Sequence, residues 1–152
     1  CTVAPYMGYD TIAPFLAFEG RAAFVLARTS NPGAADLQER LIDDRPVYEH
    51  MVERLVASAA TQPGTTGLVV GATAGPALER IRKLAHPLPF LIPGVGAQGG
   101  DPDSVMQATY AGPGSVLVNS SRSILYAGTD EDFAARAAES AAALAATLTF
   151  PR

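Results

Sequence analysis

Two loops in this 152-residue sequence carry side chains and backbone suited to holding a phosphate. The first runs Gly94-Val95-Gly96-Ala97-Gln98-Gly99-Gly100 after the apolar stretch Phe90–Pro93 and satisfies the spacing G-x-G-x-x-G. The second, Val118-Asn119-Ser120-Ser121-Arg122-Ser123-Ile124, sets an arginine among small hydroxyl residues behind another apolar run. A guanidinium fork matches two phosphate oxygens, and neighbouring backbone N–H groups add donors without burying another charge. In the first loop Gln98 is the long polar side chain able to donate, while the glycines let the backbone approach a ligand or close over it as a lid. A dinucleotide-binding fingerprint is the competing interpretation. It needs its glycines on the first βα turn and an acidic residue ~20 positions on. Asn119 and Ser120 stand there instead, and the loop comes late in the chain. Phosphate binding is the better account.

The elements that must position these loops repeat along the chain. Cys1–Ala4 is a β-prone fragment, and residues 9–19 have the composition of a short helix capped by Asp10 or Thr11. Apolar runs at 22–28, 66–72, 89–94 and 115–121 are predicted strands. Between them lie predicted helices over 46–60, with Val47, Met51 and Leu55 inward, over 75–85, with Leu78, Ile81 and Leu84 inward, and over 101–111, where Asp101 has the position of a catalytic acid but fits an N-cap ahead of Pro102 better. A closing helix is predicted over 130–148 with Asp130 as its N-cap. Strands apolar throughout, each followed by a helix, specify a parallel sheet covered by helices, hence an α/β fold. With 89–94 and 115–121 as the last two strands of a (β/α)8 barrel, the loops after them fall where such barrels hold phosphate. The chain opens mid-element at Cys1, so it is expected to be the C-terminal part of a single barrel domain, with strands one to three absent from it.

Composition narrows the classes further. A net charge of −4 without a basic stripe argues against nucleic acid or an acidic membrane as partner. No apolar run approaches the ~18 residues of a membrane span. One cysteine, Cys1, suits a reducing cytoplasm, and His50 and His86 stand far apart without cysteine partners, so no metal site is expected.

"PFLIPGVGAQGGD" together with "VLVNSSRSILYAG", "FVLARTSNPG" and "VAPYMGYD" resembles the C-terminal portion of orotidine 5′-monophosphate decarboxylases of the bacterial second subgroup, across essentially the whole chain. The resemblance implies a (β/α)8 barrel of which this chain supplies roughly strands four to eight. It also implies decarboxylation of orotidine 5′-monophosphate to uridine 5′-monophosphate in pyrimidine biosynthesis, without cofactor or metal, by a homodimer. Carried onto this sequence, Gln98 is the loop glutamine whose amide reaches the substrate phosphate. Arg122 pairs with that phosphate, and the backbone N–H of Ser121 faces it. Ser30 bonds the pyrimidine edge, and Pro93 stands at the loop hinge near the base.

The family's proton-delivering lysine and its aspartates, in a D-x-K-x-x-D motif, have no counterpart here. Lys83 is the one lysine, and it sits near the end of a predicted helix, where its charge suits the helix dipole. No catalytic residue is therefore expected in this chain, and the charged array should lie upstream of Cys1. The alternative is a non-catalytic phosphate-binding half-barrel. Plainer roles also exist: Arg122 pairing with Asp130, Gln98 solvated, Ser30 capping the turn before Pro32, Tyr6 and Met7 packing, and Asp43 and Asp44 in a solvated loop before a helix.

Overall fold

Small and branched apolar residues in short runs give the chain its strands, and their alternation gives the sheet two unlike faces. The computed structural model describes residues 1–95 and 99–148. Strand β1 (Thr2–Val3) is followed by two 3-10 turns, Tyr9–Thr11 and Ala13–Leu16, and by β2 (Ala22–Arg28). Helix α1 (Ala34–Leu37) and a hairpin of β3 (Leu41–Ile42) and β4 (Arg45–Pro46) lead into α2 (Val47–Ala59). Then come β5 (Thr65–Val70), α3 (Pro76–Leu84), β6 (Phe90–Pro93), α4 (Pro102–Thr109), β7 (Val116–Asn119), α5 (Arg122–Leu125) and α6 (Phe133–Thr147). β1, β2, β5, β6 and β7 form one sheet in that order, every neighbouring pair parallel. Parallel neighbours in sequence order, joined by helices, are an arc of the expected barrel.

One face of the arc is sealed. Val25, Leu68, Val70, Phe90 and Ile92 are buried in a core shared with Val52 and Leu55 of α2, Leu78 and Ile81 of α3, and Val105 of α4. On the opposite face the register aligns Leu26, Val69, Leu91 and Leu117 in one row, and Phe24 with Gly67 in the next. Gly67 is required there, because a Cβ would come within 2.5 Å of the Phe24 ring. Leu117 in that row is 50% exposed.

Several elements differ from expectation. Residues 9–19 form 3-10 turns rather than an α-helix, because Pro14 interrupts the helical hydrogen bonding. Neither Asp10 nor Thr11 caps: Gly8 occupies the cap position at φ 103, and the Thr11 hydroxyl donates back to its carbonyl. Residues 41–46, expected as loop and helix entry, form a two-residue hairpin in which Asp43 and Asp44 both adopt positive φ, as that tight turn demands. On α2 the buried stripe is Tyr48, Val52 and Leu55, one position off the expected Val47 and Met51. Backbone bonds from Val47 N to Arg40 O (2.8 Å) and Tyr48 N to Gln38 O (3.0 Å) set the helix rotation. At α6 the helix starts at Phe133 and Asp130 is not its cap; Asp132 takes the cap position, with its carboxylate 2.6 Å from Arg136.

The Asp101 cap of α4 is as expected. Its carboxylate accepts from Ser104 N (2.9 Å) and Ser104 Oγ (2.5 Å), and these bonds hold its pKa below the usual carboxylate value. A lowered folded-state pKa means the stabilisation is present above the unfolded value, ~3.9, and lost as pH falls through the lowered one. Asp101→Asn keeps a capping acceptor but cannot titrate, so its melting temperature should fall less steeply on acidification than that of the parent. Parallel acid limbs in thermal melts of the two would remove Asp101 from the acid response.

Candidate functional site

The carboxyl ends of β6 and β7 lie side by side, since Pro93 pairs with Asn119 in the register. Between the loops that leave them is a cavity of about 120 Å³, lined by Pro93, Gly94, Val95, Asn119, Ser120, Ser121 and Arg122. Each loop is shaped locally. Past Pro93 the chain turns at Gly94, φ 93, a conformation that side chains disfavour. The glycine-rich loop closes at its base through a bridge between Val95 and Gly100 and a bond from Gly100 N to Gly94 O (3.4 Å). Gly100 must be glycine because its Cβ would sit 2.5 Å from that of Ala72, just past the end of β5.

After Asn119 the chain folds at once into α5. Leu125 N donates to Ser121 O (2.8 Å) and Tyr126 N to Arg122 O (3.1 Å), so Ser121 and Arg122 open a helical turn whose first N–H groups have no partner within the helix. Ser120 and Ser123 share a hydroxyl–hydroxyl bond of 2.5 Å, and Ser140 of α6 donates to Ser123 O (2.9 Å), anchoring the turn to the closing helix. Among the described residues Arg122 forms no ion pair, so the proposed pairing with Asp130 is not made. An exposed guanidinium, hydroxyls and helix-start amides around a cavity of this size can bind a small oxyanion.

Pro93, Ser121 and Arg122 are thus brought together. Ser30 is not in that cavity. It lies on the other side of β5, beside Gly71, whose Cβ would meet Ser30 N at 2.7 Å. The strand ends connect the two places: Gly71 N donates to Arg28 O (2.8 Å) and Ala72 N to Pro93 O (2.9 Å). From β2 to β7 the edge spans three strand spacings, roughly 14 Å, enough for an extended ligand to lie between Ser30 and Arg122. Gln98 lies outside the described residues. Lys83 is exposed on the last turn of α3, in the outer helix layer. Asn119 and Ser120, which the failed dinucleotide pattern left without a role, line the cavity; their place at a strand's carboxyl end was the signal. Among the described residues no group of three His, Cys, Asp or Glu is placed to hold a metal ion, and no helix is long and apolar enough to cross a membrane.

Residues 1–138 match the model of the orotidine 5′-phosphate decarboxylase / HUMPS family. The orotidine 5′-phosphate decarboxylase of Delftia acidovorans is 49% identical over 151 residues, covering 97% of this chain and 54% of the relative. That of Paracidovorax citrulli is 50% identical over 145 residues, covering 93% of this chain and 53% of the relative. The chain spans about half the length of the curated relatives it matches. Among solved structures, Leishmania donovani UMP synthase superposes with a TM-score of 0.80 at 40% identity, covering 97% of this chain and 32% of that one. Leishmania donovani OMP decarboxylase gives 0.76 at 36% identity, covering 97% and 56%.

Proposed function

Since the chain belongs to the orotidine 5′-phosphate decarboxylase / HUMPS family, we propose that the protein it forms part of converts orotidine 5′-monophosphate to uridine 5′-monophosphate, and that these 152 residues supply the phosphate grip and part of the pyrimidine pocket. The observation that carries this is the convergence of Pro93, Ser121 and Arg122 on one small cavity at the carboxyl ends of β6 and β7. There Arg122 and the amide of Ser121 take the phosphate, Gln98 joins them when the glycine-rich loop closes, and Ser30 meets the ring edge. The lysine and aspartates that would protonate C6 and repel the carboxylate come from outside this chain, which contains no D-x-K-x-x-D sequence. Division of labour of this kind has a physical rationale. Contacts to a non-reacting phosphate drive loop closure, and closure assembles the charged site round the ring, so remote binding energy is realised in the transition state. The working protein in this reading is a cytoplasmic homodimer.

Assaying the full-length protein with orotidine 5′-monophosphate, by loss of the orotate chromophore, tests the reading. Turnover is expected; binding of uridine 5′-monophosphate without turnover would favour a non-catalytic phosphate-binding barrel instead. Ser30→Ala removes one hydrogen bond to the base, so affinity for uridine 5′-monophosphate should fall about three- to tenfold while that for ribose 5-phosphate stays level. Equal loss for both ligands in a competition titration would take Ser30 off the base.

A further inference from the structure

Ser30 sits in a turn, Thr29-Ser30-Asn31-Pro32-Gly33, beyond the last ladder pair of β2. The strand before it is irregular, because the pairing of β2 with β5 shifts register between Leu26 and Arg28. Such a bulge re-aims the chain at the end of a strand. A side chain from the far end of α1 braces the re-aimed segment at Thr29. Gln38 Oε1 accepts from Thr29 N at 2.9 Å, and Gln38 Nε2 donates to Thr29 Oγ1 at 2.9 Å. A backbone N–H can only donate, so the amide orientation is settled: oxygen to the main chain, nitrogen to the hydroxyl. The hydroxyl, accepting from Gln38, donates its own hydrogen bond to Asn31 Oδ1 at 2.6 Å. The amide therefore grips Thr29, just before Ser30, at two atoms, and Thr29 in turn holds Asn31, just after it.

Gln38 is itself well anchored. Its N–H donates to Ala34 O (2.9 Å), closing α1, and its carbonyl accepts from Tyr48 N (3.0 Å) at the start of α2. Next to it Glu39 holds Arg28 Nε at 3.1 Å, while Arg28 Nη1 donates to Thr29 O at 2.6 Å. The turn is thus pinned to the outer helices from one side. On the other side Gly71 lets β5 run within contact of the Ser30 backbone.

We propose that Gln38 is a positioning residue for Ser30, and through it sets how tightly the protein holds the pyrimidine ring as opposed to the phosphate. The inference rests on the assignment of Ser30 to the ring edge made above. Loosening the turn should displace a contact to the base but not the cavity at Arg122, which lies on the far side of β5.

The test is the ratio of two dissociation constants in the full-length protein, for uridine 5′-monophosphate and for ribose 5-phosphate, measured by calorimetry. Gln38→Ala should weaken the nucleotide about three- to tenfold, like Ser30→Ala, and leave ribose 5-phosphate unchanged. The double variant should be no worse than either single one, since both act through the same contact. Gln38→Glu keeps the size and the acceptor facing Thr29 N but loses the donor to its hydroxyl. It should fall between parent and Gln38→Ala, and it supplies the same ratio should the alanine variant fail to fold. If Ser30→Ala shifts the ratio and neither Gln38 variant does, the positioning role is overturned while Ser30 keeps its assignment. If Gln38→Ala weakens both ligands equally, the residue is structural only. If Ser30→Ala leaves the ratio unchanged, the assignment of Ser30 itself fails, and this inference with it.

Discussion

Arg122→Ala in the full-length protein is expected to lower kcat/KM for orotidine 5′-monophosphate by about two to four orders of magnitude. The figure follows from the chemistry of the contact. A guanidinium gripping a phosphate makes two charge-assisted hydrogen bonds, each worth about 1.5–3 kcal/mol, so about 3–6 kcal/mol is at stake. At about 1.4 kcal/mol per tenfold in rate, that spans the stated range. Arg122 is exposed, and an exposed pair would be worth far less. The larger figure is the one expected because a phosphate seated in so small a cavity would displace its water and leave the pair in a lower dielectric. Arg122→Lys separates charge from geometry: a point charge without the fork should recover part of the loss but not all. Steady-state kinetics decide it, and kcat/KM for Arg122→Ala within threefold of the parent would remove Arg122 from the phosphate site.

The parts of the molecule legible in sequence were those with one dominant local cause. β2 coincides with the predicted run 22–28, and the other strands agree within a few residues, because parallel strands under helices are apolar along their length and end near polar or turn-forming residues. Asp101 before Pro102 suited an N-cap better than a catalytic acid, and it caps. That the loops after β6 and β7 meet at one cavity was readable for a related reason: both follow apolar runs expected as neighbouring last strands of the sheet. What escaped depended on partners distant in sequence. On α2 Leu55 was placed correctly, but Val47 and Met51 were each one position off, because the helix rotation is set by backbone bonds to Gln38 and Arg40, which no periodicity encodes. The 41–46 hairpin was missed because two aspartates are a rarer way than Asn-Gly to supply consecutive positive φ. Ser30 and Arg122 could be named from motifs, yet that they lie on opposite sides of β5 became visible only once the strand order was known.

The sheet's two faces bear on how the site is supported. The helix-covered face carries the core, while the other bears an apolar row that ends at half-exposed Leu117. In a closed (β/α)8 barrel such rows interdigitate as layers of side chains at the centre. A row in which Val69 is buried, Leu26 and Leu91 are half-buried and Leu117 is exposed fits such an interior surface, so stability is best measured on the full-length protein proposed above.

In that protein Phe90→Ala should be the most damaging single core change, at about 3–5 kcal/mol. Phe90 is fully buried on β6, paired with Leu68 on one side and Val116 on the other, so a cavity there opens between three strands and the helices over them. Its ring also carries a charge. The Arg82 guanidinium of α3 lies 3.5 Å from the ring centroid, donating to Leu88 O at 2.8 Å and to Ser115 O at 3.2 Å. Burial pulls the Arg82 pKa down to about 10, which still leaves it charged at neutral pH. Its partners are thus two carbonyls and an aromatic face, with no carboxylate among its described bonds. Truncating Phe90 removes the face and leaves a buried cation short of one partner. Phe90→Leu keeps most of the volume and should cost under about 1.5 kcal/mol. A double-mutant cycle with Arg82→Met isolates the stacking: the coupling between the two positions should be about 1–2 kcal/mol, the scale of a desolvated cation–π contact. Denaturant melts supply all the free energies. A Phe90→Ala loss no larger than that of Phe90→Leu would mean the strand ends collapse into the space, and a coupling near zero would mean the carbonyls alone hold Arg82.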